Sequence, residues 1–259
     1  MILGVDVSEY QGEMNWLKCK AAGAEFAYFR VGNGPDDIDD EFDVNRQSAP
    51  EYLPTGGYWA FHPDWPGAGQ ADLFCDALST WEWKMRPWID VELKGSVSAA
   101  IRTRRLEEFI LRMIKRLRIL PVIYTRAEWF NVNLLRRELW GCCDLAVARY
   151  CYLDHPWGDG YCKPKDWDDF LFWQWSADGN GYGKDYGAQS ADIDMLRYKG
   201  SLPGVTVRVR TCRPAWLLSR PAAIAPVAAA AWNNVEFEQV SSSGDWVQVG
   251  AWLSKDSCK

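Results

Sequence analysis

Two carboxylates sit in a run that otherwise reads as buried strand, Trp88-Ile89-Asp90-Val91-Glu92. Asp90 and Glu92 are two positions apart, so on a β-strand both side chains leave the same face, with Cα atoms roughly 6.5–7 Å apart. A buried charge costs free energy unless it is paired, so acids on one inward face need a reason. A carboxylate pair with split pKa values, one acid and one base, supplies one, and that arrangement cleaves glycosidic bonds. The plainer reading is a strand end whose acids bind a neighbouring arginine or cap a helix. An isolated Asp-x-Glu is too common to decide between the two.

The elements around the pair do more. Short β-branched and aromatic runs occur at 2–7, 25–31, 57–61, 87–93, 121–125, 144–150, 170–176 and 191–196, with helical spacing at 14–22, 68–82, 98–119 and 127–139. Alternating β and α elements of nearly continuous hydrophobicity predict an α/β fold with a parallel sheet, and eight strands predict a barrel. Helical patterns thin out after residue 140, so the barrel is expected to be irregular, with incomplete helices. Sites in such barrels lie at the C-terminal ends of the strands. Acids fall at these ends: Asp6 on the first strand, Asp90 and Glu92 on the fourth, Asp192 and Asp194 on the last. First and last strands are neighbours once a barrel closes, so Asp6 and Asp192 are expected to approach the Asp90/Glu92 pair.

Composition narrows the choice. The 259 residues are 48% hydrophobic, enough for one large domain or a large and a small one. No apolar run approaches the ~20 residues of a membrane helix, and residues 1–5 lead straight into structured sequence without a secretory signal. A net charge of −6 and a pI of about 5.1 leave no electrostatic footprint for nucleic acid. Sixteen tryptophans stand out; they provide platforms for sugar rings or, more plainly, a large aromatic core. Only two histidines, His62 and His155, are present, which argues against zinc amidases and against Ser-His-Asp or Cys-His hydrolases. Cys142, Cys143, Cys151 and Cys162 lack paired C-x-x-C spacing, so neither a metal nor any cofactor is expected. The cations of the 98–119 helix, among them Arg102, Arg105, Arg112 and Arg116, read as a solvated outer face interrupted by Glu107 and Glu108.

A turn-rich stretch at 199–204 divides the chain into a domain at 1–199 and a second at 205–259. The second carries short alternating runs at 205–211, 216–220, 227–231, 235–240, 245–249 and 251–254, which predict a small β-barrel. The Ala/Pro-rich 221–231 segment reads alternatively as a linker.

The first domain resembles glycoside hydrolase family 25, the Chalaropsis-type lysozymes. The resemblance rests on Gly4-Val5-Asp6-Val7-Ser8 with Tyr10-Gln11-Gly12 and Asn15-Trp16, then Phe29-Arg30-Val31, Gly57-Tyr58-Trp59 and Trp88 to Glu92. It continues through Ile123-Tyr124-Thr125, Ala148-Arg149-Tyr150, Trp173-Gln174-Trp175-Ser176 and Asp192-Ile193-Asp194, in order, over residues 2 to about 198. It implies hydrolysis of the β-1,4 bond between N-acetylmuramic acid and N-acetylglucosamine in peptidoglycan. Glu92 would be the proton donor, and Asp90, Asp6 and Asp192 the remaining acids, with Asp90 ionised. Tyr58, Tyr124, Trp173, Trp175 and Arg30 are candidate substrate contacts. The chain departs from the family pattern where Asp194 takes a usual Asn position, Trp175 a Tyr position and Trp59 a His position. The tail, with Leu217-Leu218-Ser219-Arg220-Pro221 and Gly244-Asp245-Trp246-Val247, resembles bacterial SH3-like wall-binding modules, and Trp216, Trp246 and Trp252 are its candidate contacts. A monomeric wall hydrolase follows, with a phage endolysin as one role. Activity on another amino-sugar polymer such as chitin, or an inactive wall-binding protein, are the alternatives.

Overall fold

The computed structural model describes residues 1–151, 155–158, 160 and 162–202, together with the backbone of strands at 208–210, 236–243 and 246–252. Nine strands form the main sheet: β1 (Ile2–Val7), β2 (Phe26–Asn33), β3 (Asp37–Ile38), β4 (Thr55–Ala60), β5 (Trp88–Asp90), β6 (Val122–Thr125), β7 (Asp144–Ala148), β8 (Phe172–Ser176) and β9 (Asp194–Tyr198). β1 pairs with both β2 and β9, so eight strands close into a barrel, while β3 is a short arm on β2. From β1 through β2, β4, β5, β6 and β7 to β8 every pairing is parallel. β9 is antiparallel to β8 and β1, which differs from the all-parallel expectation. A parallel return needs a crossover, but residues 177–193 hold only a 3₁₀ turn at Gly179–Gly181. The chain therefore turns back at the end where β8 finishes, and β9 begins at the barrel mouth.

The pleat sorts side chains into two layers. Inward from the strands point Phe26, Tyr28, Trp88, Val122, Tyr124, Ala146, Ala148, Phe172, Leu196 and Tyr198, an aromatic plug that fills the barrel. Tyr28 stacks on Trp88 at 3.8 Å, and Phe172 on Tyr198 at 4.5 Å. The rings fit because β1 and β4 offer Gly4 and Gly56 at the facing positions. A Cβ at Gly4 would lie 2.4 Å from Phe26 Cζ, and one at Gly56 2.5 Å from Tyr28 Cε1. The plug forms a dry floor beneath the mouth.

Outside the barrel lie α1 (Trp16–Ala21), α2 (Phe42–Ser48), α3 (Gly67–Leu78), α4 (Ala99–Leu117) and α5 (Ala127–Asn133). α4 buries Leu106, Phe109, Ile110 and Met113, as its 3.6-residue spacing predicts. Its cations, however, are not a freely solvated face. Arg102 is 2% exposed and donates to the carbonyls of Lys94, Val97 and Asn133. Arg105 donates to Pro63 O, and Arg112 and Arg116 grip Asp72 and Asp76 on α3. α2 was not visible in the periodicity; its acidic, Pro-flanked sequence reads as loop, and only Phe42 and Asn45 are buried.

Beyond the barrel, β10 (Arg208–Arg210), β11 (Glu236–Ser243) and β12 (Trp246–Trp252) pair as an antiparallel sheet in the order β10-β12-β11. The predicted runs at 216–220 and 227–231, and Trp216, lie outside the described residues; Trp246 and Trp252 mark the ends of β12. No helix among the described residues is long and apolar enough to cross a membrane.

The tight seat at Gly4 yields a prediction. Gly4→Ala overpacks the ring of Phe26 and should destabilise the domain by about 1–3 kcal/mol, read from the urea midpoint. An unchanged midpoint would show that the plug has slack there.

Candidate active site

The inward alternation that builds the floor also builds the layer above it. One step up from Gly4 comes Asp6, from Gly56 Tyr58, from Trp88 Asp90, and from Phe172 Gln174, while Asp194 stands one step before Leu196 on the reversed β9. Asp194 lies directly opposite Asp6 in the β1–β9 register. β5 ends at Asp90, yet alternation persists: Val91 is fully buried in the outer core, so Asp90 and Glu92 both turn inward. Strand β5 and the residues after it are pinned by backbone bonds from Phe61 N to Asp90 O (2.9 Å) and Val91 N to Tyr124 O (2.8 Å). Asp64, on the loop after β4, accepts from Ser96 N and Val97 N, and Arg102 holds Lys94 and Val97, so the loop after Glu92 is clamped from both sides.

Gln174 is the hub of the polar layer. Its Nε2 donates to Asp6 Oδ2 at 3.2 Å, and its Oε1 accepts from the hydroxyls of Tyr124 (2.7 Å) and Tyr150 (3.0 Å). The Tyr58 phenol lies close enough to Asp6 to favour its anion. Asp6 Oδ1 and Asp90 Oδ1 are buried without a hydrogen-bond partner, which is the state of carboxyls that hold a proton or await a polar group. Glu92 is less enclosed, and Arg126 Nε lies 3.1 Å from its Oε2.

Burial is the leading cause of an upward pKa shift at each of the four acids. It raises Asp6, with the negative charges of Asp194 and Asp90 adding to it. It raises Asp90, where Glu92 adds and Arg30 and Arg126 oppose. It raises Glu92 against the pull of Arg126. Asp194 is pushed up to about 7 by burial and then by Glu92, Asp178 and Asp192. Burial thus raises Glu92 as expected of a proton donor, but the like charge is felt at Asp90, whose shift is also upward.

The structure sorts the sequence candidates. It brings together Asp6, Asp90, Glu92, Tyr58 and Tyr124 at the mouth. Asp192 is exposed, two residues outside the start of β9, and Asp194, half-buried, occupies the place expected of it. Trp173 and Trp175 face away from the site. Trp173 is 0% exposed, packs under the outer layer and donates its indole N–H to Arg149 O, while Trp175 packs against the same layer. Gln174 between them turns inward, as the pleat requires. Arg30 lies at the mouth but is engaged: it pairs with Glu9, bonds Asp39 at 2.7 Å and sits 5.0 Å over the Tyr10 ring. That clamp supports the turn after β1, where Gln11 Oε1 accepts from Ser8 N and Ser8 caps Tyr10 N. Gln174, Tyr150 and Arg126 are site residues outside the sequence candidates, while Asp194 stood among the strand-end acids but not among the proposed catalytic ones. Alternation from Phe172 would have marked Gln174. Among the described residues no group of three His, Cys, Asp or Glu is placed to hold a metal ion.

A closed α/β barrel with acids gathered at its mouth over an aromatic floor is an arrangement that glycoside hydrolysis can use. The profile of "Glycosyl hydrolases family 25" matches residues 5–184, and the chain belongs to that family and is a glycoside hydrolase. It is 29% identical over 212 residues to Lysozyme M1 of Streptomyces globisporus, spanning 77% of this chain and 68% of that protein. It is 25% identical over 210 residues to the N,O-diacetylmuramidase of Chalaropsis sp, spanning 76% and 97%. The crystal structure of the bacterial lysozyme from Streptomyces coelicolor superposes with a TM-score of 0.62 at 26% identity, covering 77% of this chain and 93% of that one.

The charge analysis predicts a stability effect. Because Asp90 has a folded-state pKa above its unfolded value of about 3.9, ionising it penalises the fold increasingly as pH rises from that value. Asp90→Asn should therefore raise the thermal midpoint at pH 7, and the gain should shrink toward pH 4. A midpoint below wild type at pH 7 would contradict the assignment.

Proposed function

We propose that the protein hydrolyses the β-1,4 bond between N-acetylmuramic acid and N-acetylglucosamine in peptidoglycan, with Glu92 as proton donor. The observation that carries this reading is the Asp90/Glu92 pair facing inward above the aromatic plug, with burial raising both acids. Glu92 is the more accessible of the two and can reach the leaving oxygen at the mouth. Burial raises its pKa, and the opposing pull of half-exposed Arg126 is screened. Asp90 lies deeper, under the influence of Arg30 and Arg126, which favour its anion. Positive charge developing on the sugar ring at the transition state favours that anion further, so Asp90 stabilises the ring directly or orients the N-acetyl group. Gln174 and the phenols of Tyr58, Tyr124 and Tyr150 hold the surrounding acids in place and offer polar contacts to the glycan.

The relatives named lysozyme and N,O-diacetylmuramidase support bacterial wall glycan over chitin, and the gathered acids support an enzyme over an inactive binder. Residues 205–259 are, in this reading, a wall-binding module, with Trp216, Trp246 and Trp252 as its contacts, and a phage endolysin is the role that fits a lytic enzyme joined to such an anchor.

Glu92→Gln should lower the rate of sacculus clearing by roughly 10²–10⁴ while circular dichroism and the thermal midpoint remain those of a folded barrel. A folded variant clearing at the wild-type rate would remove Glu92 from the mechanism. Truncation after Lys199 should weaken sacculus pull-down, since a tethered binder raises the local concentration of glycan at the site. Undiminished pull-down would give wall binding to the barrel.

A further inference from the structure

We propose that Asp6 and Asp194 form a carboxyl pair that shares one proton across the β1–β9 seam, so that this side of the site carries one negative charge instead of two.

The geometry carries the proposal. Asp6 and Asp194 are direct partners in the antiparallel register, which places their Cβ atoms roughly 4.5–5.5 Å apart on the same face. Two carboxyls on facing positions at that Cβ separation come within reach of a single O–H···O bond, whereas two carboxylates there repel. Asp6 is 4% exposed, and its two oxygens differ: Oδ2 accepts from Gln174 Nε2, while Oδ1 is buried with no donor. A proton held by Asp194 supplies the donor that Oδ1 lacks.

The surroundings explain why a proton stays there. Asp6 comes from β1, Tyr58 from β4, Asp90 and Glu92 from β5 and the residues after it, and Tyr124 from β6. Tyr150 follows β7, Gln174 and Asp178 belong to β8 and its loop, and Asp192 precedes Asp194 on its own segment. Arg30 and Arg126 act on Asp90, and Arg126 pairs with Glu92, whereas the charges acting on Asp194 are Glu92, Asp178 and Asp192, all negative. Asp178 is held ionised by Asn180 N and the Ser176 hydroxyl, so its charge is a fixed one. Burial and this negative field both favour the protonated acid at Asp194, in keeping with its shift to about 7.

The pair has a consequence for hydrolysis that rests on the reading of the site given above. Asp6, Gln174, Tyr124 and Tyr150 form one connected network, so the proton on Asp194 fixes the orientation of Asp6 and, through Gln174, of the two phenols. Asp194 is a positioning residue. An amide at this place can donate to Asp6 at every pH, whereas an isosteric apolar group cannot.

The test needs no substrate in its first arm. In protein labelled with ¹³C at the Asp side-chain carboxyls, two carboxyl signals should share one titration step well above the usual carboxylate range. That step should vanish in Asp6→Asn and in Asp194→Asn alike. Its survival in either variant would assign the proton to Asp90 or Glu92 and overturn the pair. The second arm compares Asp194→Asn with Asp194→Leu in sacculus clearing at pH 6, both confirmed folded. The amide variant should exceed the leucine variant at least tenfold; equal rates would overturn the positioning role. Absence of clearing by wild-type protein would count against the proposed function while leaving the titration result standing.

Discussion

Four carboxyls crowded into one poorly solvated mouth repel one another, and the rest of the barrel is arranged to withstand that repulsion. At a separation of 5 Å and an effective dielectric of 20, two such charges oppose each other by about 3 kcal/mol. That is a large share of the 5–15 kcal/mol of net stability typical of a domain, so ionising Asp6, Asp90, Glu92 and Asp194 together works against the fold. The cluster keeps protons where isolated acids would lose them, and a glycosidase needs a protonated donor beside an anion. Arg126 moderates Glu92, but a half-exposed ion pair contributes only about 0.2–1 kcal/mol, so burial prevails at that acid.

The means of holding the acids are distributed through the fold. Gly4 and Gly56 give up side-chain volume so that Phe26, Tyr28 and Trp88 can fill the barrel and dry the floor. Gln174 uses both ends of its amide, donating to Asp6 and accepting from two phenols, and so ties Asp6 to Tyr124 and Tyr150. The loop bearing Glu92 is tied by Asp64 and by Arg102, whose three carbonyl partners belong to that loop and to the end of α5.

Much of this was legible in the residues. Eight strand runs and the i, i+2 placement of Asp90 and Glu92 follow from the pleat, a local rule that sequence obeys directly. What escaped depends on chain direction and on contacts between distant segments. Asp192 and Asp194 share a face by alternation, and only the antiparallel entry of β9 decides that Asp194 stands opposite Asp6. Trp173 and Trp175 look like sugar platforms by type, yet alternation from Gln174 turns them outward into the helix layer. Arg102 reads as a solvated helix cation because its partners, the carbonyls of Lys94, Val97 and Asn133, are scattered in sequence. Arg30 reads as a substrate contact until Glu9 and Asp39 are seen to occupy it.

The central claim is that this cluster cuts glycan at the anomeric carbon of muramic acid. The most direct measurement digests purified sacculi with the full-length protein, reduces the products with borohydride and identifies the new reducing ends by mass spectrometry. The account predicts reduced N-acetylmuramic acid at the cut ends. Reduced N-acetylglucosamine ends, or released peptides with no new reducing ends at all, would contradict it.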